Sequence, residues 1–186
     1  VSFTSGTYTK STVGSNVILT AYNGNTANGA ITLVGAAYKT INVQGTLYTP
    51  FTEGNDYYSN STSSTMLSAL GGNDSIYNTA DYVTINGGAG DDKIYNGYTS
   101  YYSDCVSING GAGNDFISLN PYTYSNTIVG GTGNDTIYGG NRTSYGYKYQ
   151  YANGDGYDVI YNYGSADTVS FTSGTYTKST VGSNVI

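Results

Sequence analysis

The sequence predicts an all-β fold, a parallel β-roll or β-solenoid joined to a second β-rich module. Three observations carry this reading. Glycine-rich turns that end in an aspartate recur through residues 54–161. Between them lie short runs in which apolar and polar residues alternate, the period-2 signature of a half-buried strand. No stretch shows helical periodicity of useful length. The expected boundaries are a β-rich linking module over residues 1–50, the roll over 51–168, and the start of a further unit over 169–186.

The last of these segments follows from an exact repeat. Residues 169–186 read VSFTSGTYTKSTVGSNVI, as do residues 1–18, so residue 169 restarts the sequence after a period of 168. Shared physical constraints do not hold surface positions identical over so long a stretch, so duplication of the whole unit is the simplest account. The chain reads as one unit and the beginning of the next, with its ends set by a cut through a longer array.

Within 1–50, short β runs alternate with turns: Val17–Thr20, Ala30–Val34 and Lys39–Val43. Asn23-Gly24 and Asn28-Gly29 are hairpin signals. A roll has open sheet ends that invite association. The module is therefore expected to cap each roll and join it to its neighbour.

Composition narrows the function. Only 10% of residues are charged, and the net charge is −6. The six basic residues are scattered, which argues against a nucleic-acid partner. No apolar run approaches the roughly 20 residues of a membrane helix, so membrane insertion is not expected. There is no histidine and no Ser-His-Asp set, and the acids are accounted for below, so the chain is not expected to be an enzyme. The single cysteine, Cys105, cannot make an intrachain disulfide and is expected as a small buried residue in a strand.

The recurring turn is the chemically informative motif. Gly87-Gly88-Ala89-Gly90-Asp91-Asp92-Lys93-Ile94-Tyr95 is followed by Gly110-Gly111-Ala112-Gly113-Asn114-Asp115-Phe116-Ile117-Ser118. The third copy is Gly130-Gly131-Thr132-Gly133-Asn134-Asp135-Thr136-Ile137-Tyr138. A looser copy runs from Asn153 to Tyr161, and partial copies end at Asp56 and Asp74. The six aspartates, at 56, 74, 92, 115, 135 and 158, are separated by 18, 18, 23, 20 and 23 residues. Glu53 and Leu70 stand where glycines are expected, which makes Asp56 and Asp74 the weaker candidates.

Glycine lets the backbone turn with positive φ and aim carbonyls inward. The aspartate adds a carboxylate, and the large apolar residue two places later starts a strand whose side chain enters the core. The oxygens converge as calcium requires, since it takes six to eight oxygen ligands. One turn supplies too few. Turns stacked about 4.8 Å apart supply ligands from both sides of a cation. Six motifs leave five such gaps, those within 92–115–135 being the best formed. The candidate metal ligands are Gly87, Ala89, Asp91, Asp92, Gly110, Ala112, Asn114, Asp115, Gly130, Thr132, Asn134, Asp135 and Asp158, with Asp74 and Asp56. Gly-Asn-Asp clusters are also ordinary turn chemistry in a cation-free solenoid. Turns alone, however, do not require an aspartate in every copy.

Over residues 54–161 these motifs resemble the nonapeptide G-G-x-G-x-D-x-U-x of the RTX, or hemolysin-type calcium-binding, β-roll family. Three copies match every fixed position. The resemblance implies a Ca2+ cofactor, a secreted bacterial origin at the cell surface, and folding coupled to metal outside the cell. The family's two-sided roll carries a motif at both edges, nine residues apart. Here successive aspartates stand at least twice as far apart, so one edge is expected to be calcium-lined and the other not. Tyr82–Ile85, Cys105–Ile108 and Asn126–Val129 supply a second strand per coil. Val83 and Ile85 face inward there, Tyr82 and Thr84 outward. The far-edge turns, 96–102 and 121–125, are rich in tyrosine, which either covers a thin core or offers a recognition surface.

The expected role is a structural segment of a long secreted tandem-repeat protein: a fibre, a surface layer or an adhesin stalk. Its partners would be neighbouring units, identical chains, or a glycan or host surface. The alternative is a calcium-triggered folding and secretion module of an exported toxin or enzyme. Asn60-Ser61-Thr62 and Asn141-Arg142-Thr143 are formal glycosylation sequons.

Overall fold

The structure, a computed structural model, describes residues 7–13, 16–23, 26–33, 41–43, 46–48, 51–97, 103–140, 144–174, 180–181 and 184–185. Every regular element among them is a strand. The chain divides into two units, Val1–Thr52 and Glu53–Ile186.

In the first unit β1 (Thr7–Val13), β2 (Asn16–Asn23) and β3 (Thr26–Leu33) form an antiparallel sheet with β2 central. Val17 and Leu19 of β2 are buried. A separate hairpin joins β4 (Ile41–Val43) to β5 (Thr46–Tyr48). Gly24, Val34, Lys39 and Thr40 lie outside the described residues, but Asn23 pairs with Thr26 across the first hairpin signal. The second signal is not a turn. Asn28-Gly29 lies inside β3, where Ala21 pairs with Gly29 and Tyr22 with Ala27. Asn28 is thus the extra residue of a β-bulge. The whole length of β2 is available for pairing, so a bulge keeps more of the ladder than a turn would.

The second unit stacks two parallel six-stranded sheets. The sheet that follows the aspartates contains β6 (Tyr57–Asn60), β8 (Ser75–Asn78), β10 (Lys93–Asn96), β12 (Phe116–Leu119), β14 (Thr136–Tyr138) and β16 (Val159–Tyr161). The facing sheet contains β7 (Met66–Ser68), β9 (Thr84–Ala89), β11 (Ser107–Ala112), β13 (Thr127–Thr132), β15 (Lys148–Tyr151) and β17 (Thr168–Phe171). Successive coils alternate between the sheets, as a solenoid requires. The register is strict: Tyr58, Ile76, Ile94, Ile117, Ile137 and Ile160 pair in one file. Leu67, Ile85, Ile108, Ile128, Tyr149 and Val169 pair in the other. The isoleucines from 76 to 137 are buried, each contributing roughly 2–3 kcal/mol of apolar burial. A core only two side chains deep is enough because every coil repeats it.

The second strand of each coil starts later than the sequence suggests. Tyr82 and Cys105 are not in strands; with Ser64 and Ser125 they adopt φ of 56–58° at equivalent corners. The strands begin two residues on and run through the two glycines to the third motif position. A left-handed corner swings the chain inward, and the flat Gly-Gly segment then continues the ladder. Cys105 is accordingly half-buried, and Val106 takes the core position. Val83 and Ile85 point inward, and Tyr82 and Thr84 are exposed.

At the far edge, asparagines close the coil. Asn60 Nδ2 donates to Asn78 Oδ1, and Asn78 Nδ2 to Asn96 Oδ1, both at 2.8 Å. Asn60 is buried, so its sequon is not displayed for modification; Asn141–Thr143 lies outside the described residues. The extra residues of the longer steps fall in this edge. Residues 98–102 are outside the described set, while Tyr122 and Tyr124 are exposed.

On the outer face of the aspartate-following sheet, Tyr57, Tyr77, Tyr95, Phe116, Tyr138 and Tyr161 stack from coil to coil. Ring centroids are 4.7 Å apart at Tyr77–Tyr95 and at Tyr138–Tyr161.

The last rung runs past residue 168 into the repeated sequence. Beyond it, β18 (Thr180–Val181) and β19 (Asn184–Val185) pair Thr180 with Val185 and Val181 with Asn184. The identical residues of the first copy pair the same way, Thr12 with Val17 and Val13 with Asn16.

Candidate metal centre

The near edge is a column of carboxylates built by two ladders of opposite sense. The backbone N–H of Asp56 donates to Asp74 Oδ1 at 2.7 Å. Asp74 N–H donates to Asp92 Oδ1 at 2.7 Å, Asp92 to Asp115 at 2.8 Å, Asp115 to Asp135 at 2.8 Å, and Asp135 to Asp158 at 3.0 Å. Each carboxylate therefore accepts from the coil before it. The preceding residue works the other way. Asn73 N–H donates to Asn55 Oδ1, Asp91 to Asn73, Asn114 to Asp91, Asn134 to Asn114, and Tyr157 to Asn134. Asp91, Asn114 and Asn134 are exposed and splice the outside of the edge.

Asp74, Asp92, Asp115 and Asp135 are buried, each at most 2% exposed. In each, Oδ1 is used by the ladder, and Oδ2 is buried with no hydrogen-bond partner. A buried, unpaired carboxylate oxygen is costly, and four in one column repel one another as well. Burial is the first cause of the raised carboxyl pKa values, with the neighbouring aspartates adding to it and the backbone N–H opposing. Asp74 is pushed up to about 6 and Asp115 to about 7; Asp92 and Asp135 also rise. Half-buried Asp158 is pushed up to about 6.

The first glycine of each motif explains what faces these oxygens. The sheet register passes over Gly87, Gly110 and Gly130. A Cβ on Gly87 would meet Gly110 O at 2.2 Å and Asp92 Oδ2 at 2.3 Å. One on Gly110 would meet Asp115 Oδ2 at 2.3 Å and Gly130 O at 2.4 Å, and one on Gly130 would meet Asp135 Oδ2 at 2.2 Å. Each unpaired carboxylate oxygen thus converges with a glycine of its own motif and, at Gly87 and Gly110, with a carbonyl from the next coil. The carbonyls of Ala89, Ala112 and Thr132 accept the N–H of Gly72, Gly90 and Gly113 from the coil before. The second and fourth glycines are needed for conformation: Gly111 and Gly113 have φ of 117° and 132°.

Among the described residues no three acidic side chains converge on one point. A cation here would be held by carboxylates and main-chain carbonyls together, an all-oxygen set suited to a hard divalent ion. The residues fit it: Oδ2 of Asp92 with Gly110 O, and Oδ2 of Asp115 with Gly130 O, with the carboxylates of Asp74 and Asp135 in the same column.

The RTX calcium-binding nonapeptide repeat matches the chain in four copies, over residues 68–97, 107–120 and 122–141. Those segments contain Asp74, Asp92, Asp115 and Asp135, the four aspartates with unpaired buried oxygens. The chain is an RTX β-roll repeat protein. Calcium is the ion its repeats bind. No curated protein and no solved structure matches it.

The RTX roll departs from the sequence expectation in two places. The sequence groups Asp74 with Asp56 as a weaker ligand, yet Asp74 is as buried as the others and carries the same unpaired oxygen. Leu70 does stand at a glycine position, pairing in the file of Gly88 and bearing φ of 73°. Glu53 does not. Tyr57 pairs with Ser75, which places Glu53 opposite Gly71, the variable third position, and Gly54 opposite Gly72. Asp56 lies half-buried at the start of the column.

The asparagine ladder of the far edge is a feature that sequence reasoning missed. Its signal is present: Asn60, Asn78 and Asn96 each follow a motif aspartate by four residues.

Proposed function

We propose that this RTX roll is a calcium-stiffened structural segment of a secreted tandem-repeat protein, such as a fibre, a surface layer or an adhesin stalk. The observation that carries the reading is the buried column of aspartates set inside a unit whose sequence restarts at Val169. A stack of four unpaired carboxylate oxygens is unfavourable alone, and bound calcium supplies the compensating charge. Extracellular calcium would then set the segment's rigidity, and repetition of the unit would carry that rigidity along the array. The reading also takes the chain to be non-enzymatic, with its acids engaged at the near edge and no histidine in the sequence.

Calcium-triggered folding after export is the same physics serving a different parent protein. Repetition of the entire unit, including the antiparallel module, favours the structural role over a terminal secretion tag.

Far-UV circular dichroism of the full chain, titrated with calcium from EGTA, tests the reading. A disordered spectrum that becomes β at sub-millimolar to millimolar calcium is expected, and small-angle scattering should show compaction over the same range. A β spectrum and a scattering profile indifferent to EGTA would remove calcium from the role.

A further inference from the structure

The last rung of the roll has a property the calcium column does not explain. β17 lies at the end of its sheet and pairs with β15 alone. Residues 169–174 read VSFTSG, and residues 1–6 read VSFTSG. The chain carries this segment twice, and one copy closes the roll.

The closure is specific in side chain as well as backbone. Val169, Ser170 and Phe171 pair with Tyr149, Gln150 and Tyr151. Thr172 N–H donates to Tyr151 O at 2.9 Å. Asn153 N–H donates to Ser173 Oγ at 2.9 Å. The Phe171 ring meets Tyr151 edge-on, with centroids 5.8 Å apart. Val169 and Phe171 also wall a cavity of about 560 Å3 beside Tyr149 and Ile160. Without this rung, β15 would present an open parallel edge and an uncovered core, the arrangement that recruits a strand from elsewhere.

We propose that VSFTSG is an exchangeable rung. When a roll's own copy cannot pair, residues 1–6 of a second molecule add to β15 and join the two chains head to tail. The acceptor already accepts this sequence, so no new complementarity is required. The cis copy wins by effective concentration while it is intact. Donor and acceptor lie at different places in the chain, so the contact is heterologous and builds open strings rather than closed dimers. The same joint that links unit to unit within an array would then link chain to chain.

The test uses the full chain in saturating calcium. Thr172→Pro deletes a ladder donor and Ser170→Pro breaks the same short strand, while residues 1–6 stay intact. Light scattering should give a monomer for the parent chain and concentration-dependent oligomers for the double variant. Adding Ser2→Pro and Thr4→Pro should restore the monomer. A labelled VSFTSGTYTK peptide should bind the double variant roughly tenfold or more tightly than the parent chain. A double variant that keeps its β spectrum yet stays monomeric and ignores the peptide overturns the proposal. So do oligomers that persist in the quadruple variant, or a lost β spectrum that the peptide does not restore.

Discussion

Asp115 shows how one residue serves two demands. Its Oδ1 accepts the N–H of Asp92 and so helps hold two coils in register. Its Oδ2 has no partner, and burial with neighbouring charge pushes its pKa up to about 7. Asp115→Asn keeps the acceptor and removes the charge. It should raise the urea midpoint of the calcium-free protein and weaken calcium binding by roughly tenfold or more, as expected when a charged ligand is lost. Opposite signs in the two conditions distinguish a ligand from a purely structural turn residue; destabilisation in both would sink the assignment. At this scale the sequence is informative where chemistry is carried by residue type. The aspartates and glycines announce themselves. Which oxygen of each aspartate remains unpaired is set by the neighbouring coil, far along the chain, and no local pattern encodes it.

At the scale of elements, the two edges of the coil are held by different means. The near edge relies on charge and the far edge on neutral amides. Asn78 donates to Asn96 Oδ1 and to Ala80 O, and accepts from Asn60, all in the interior. Asn78→Ala would leave three polar groups unpaired and should cost about 2–4 kcal/mol in saturating calcium, read from denaturant midpoints, with calcium affinity unchanged within twofold. A shift in affinity of the same size as for Asp115→Asn would mean the edges are not independent. The strands themselves are legible from alternation, and Ile76, Ile94, Ile117 and Ile137 occupy the core positions their spacing from the aspartates implies. The strand starts differ from expectation at Tyr82 and Cys105 because a left-handed corner can be occupied by tyrosine, cysteine or serine alike. At Asn28-Gly29 a strong turn signal yields to the longer ladder available along β2.

For the molecule as a whole, the carboxylate column makes stability depend on pH with a sign set by calcium. In the metal-free roll the pKa values of Asp74, Asp115 and Asp158 lie above the usual carboxylate range. The folded state therefore holds protons that the unfolded chain releases. Its stability falls as pH rises from about 4 to about 7. Bound calcium keeps the same groups ionised, so the loaded roll should instead weaken as pH falls. Denaturation midpoints at pH 5 and pH 8, with and without calcium, should move in opposite directions; parallel movement would show that the column does not govern stability. The long repeat is plain in the sequence, whereas the passage of the last rung across the repeat boundary is not, because pairing with β15 depends on coils already stacked beneath it. The strict register has one more consequence. Asp56, Asp74 and Asp92 are evenly spaced along the chain, with matching strand partners at each step. Excising one such block would leave both neighbours facing the contacts they had before and shorten the stack by about 4.8 Å. Length in this architecture is thus heritable in whole increments, and recombination can trim or extend it without redesigning a single contact.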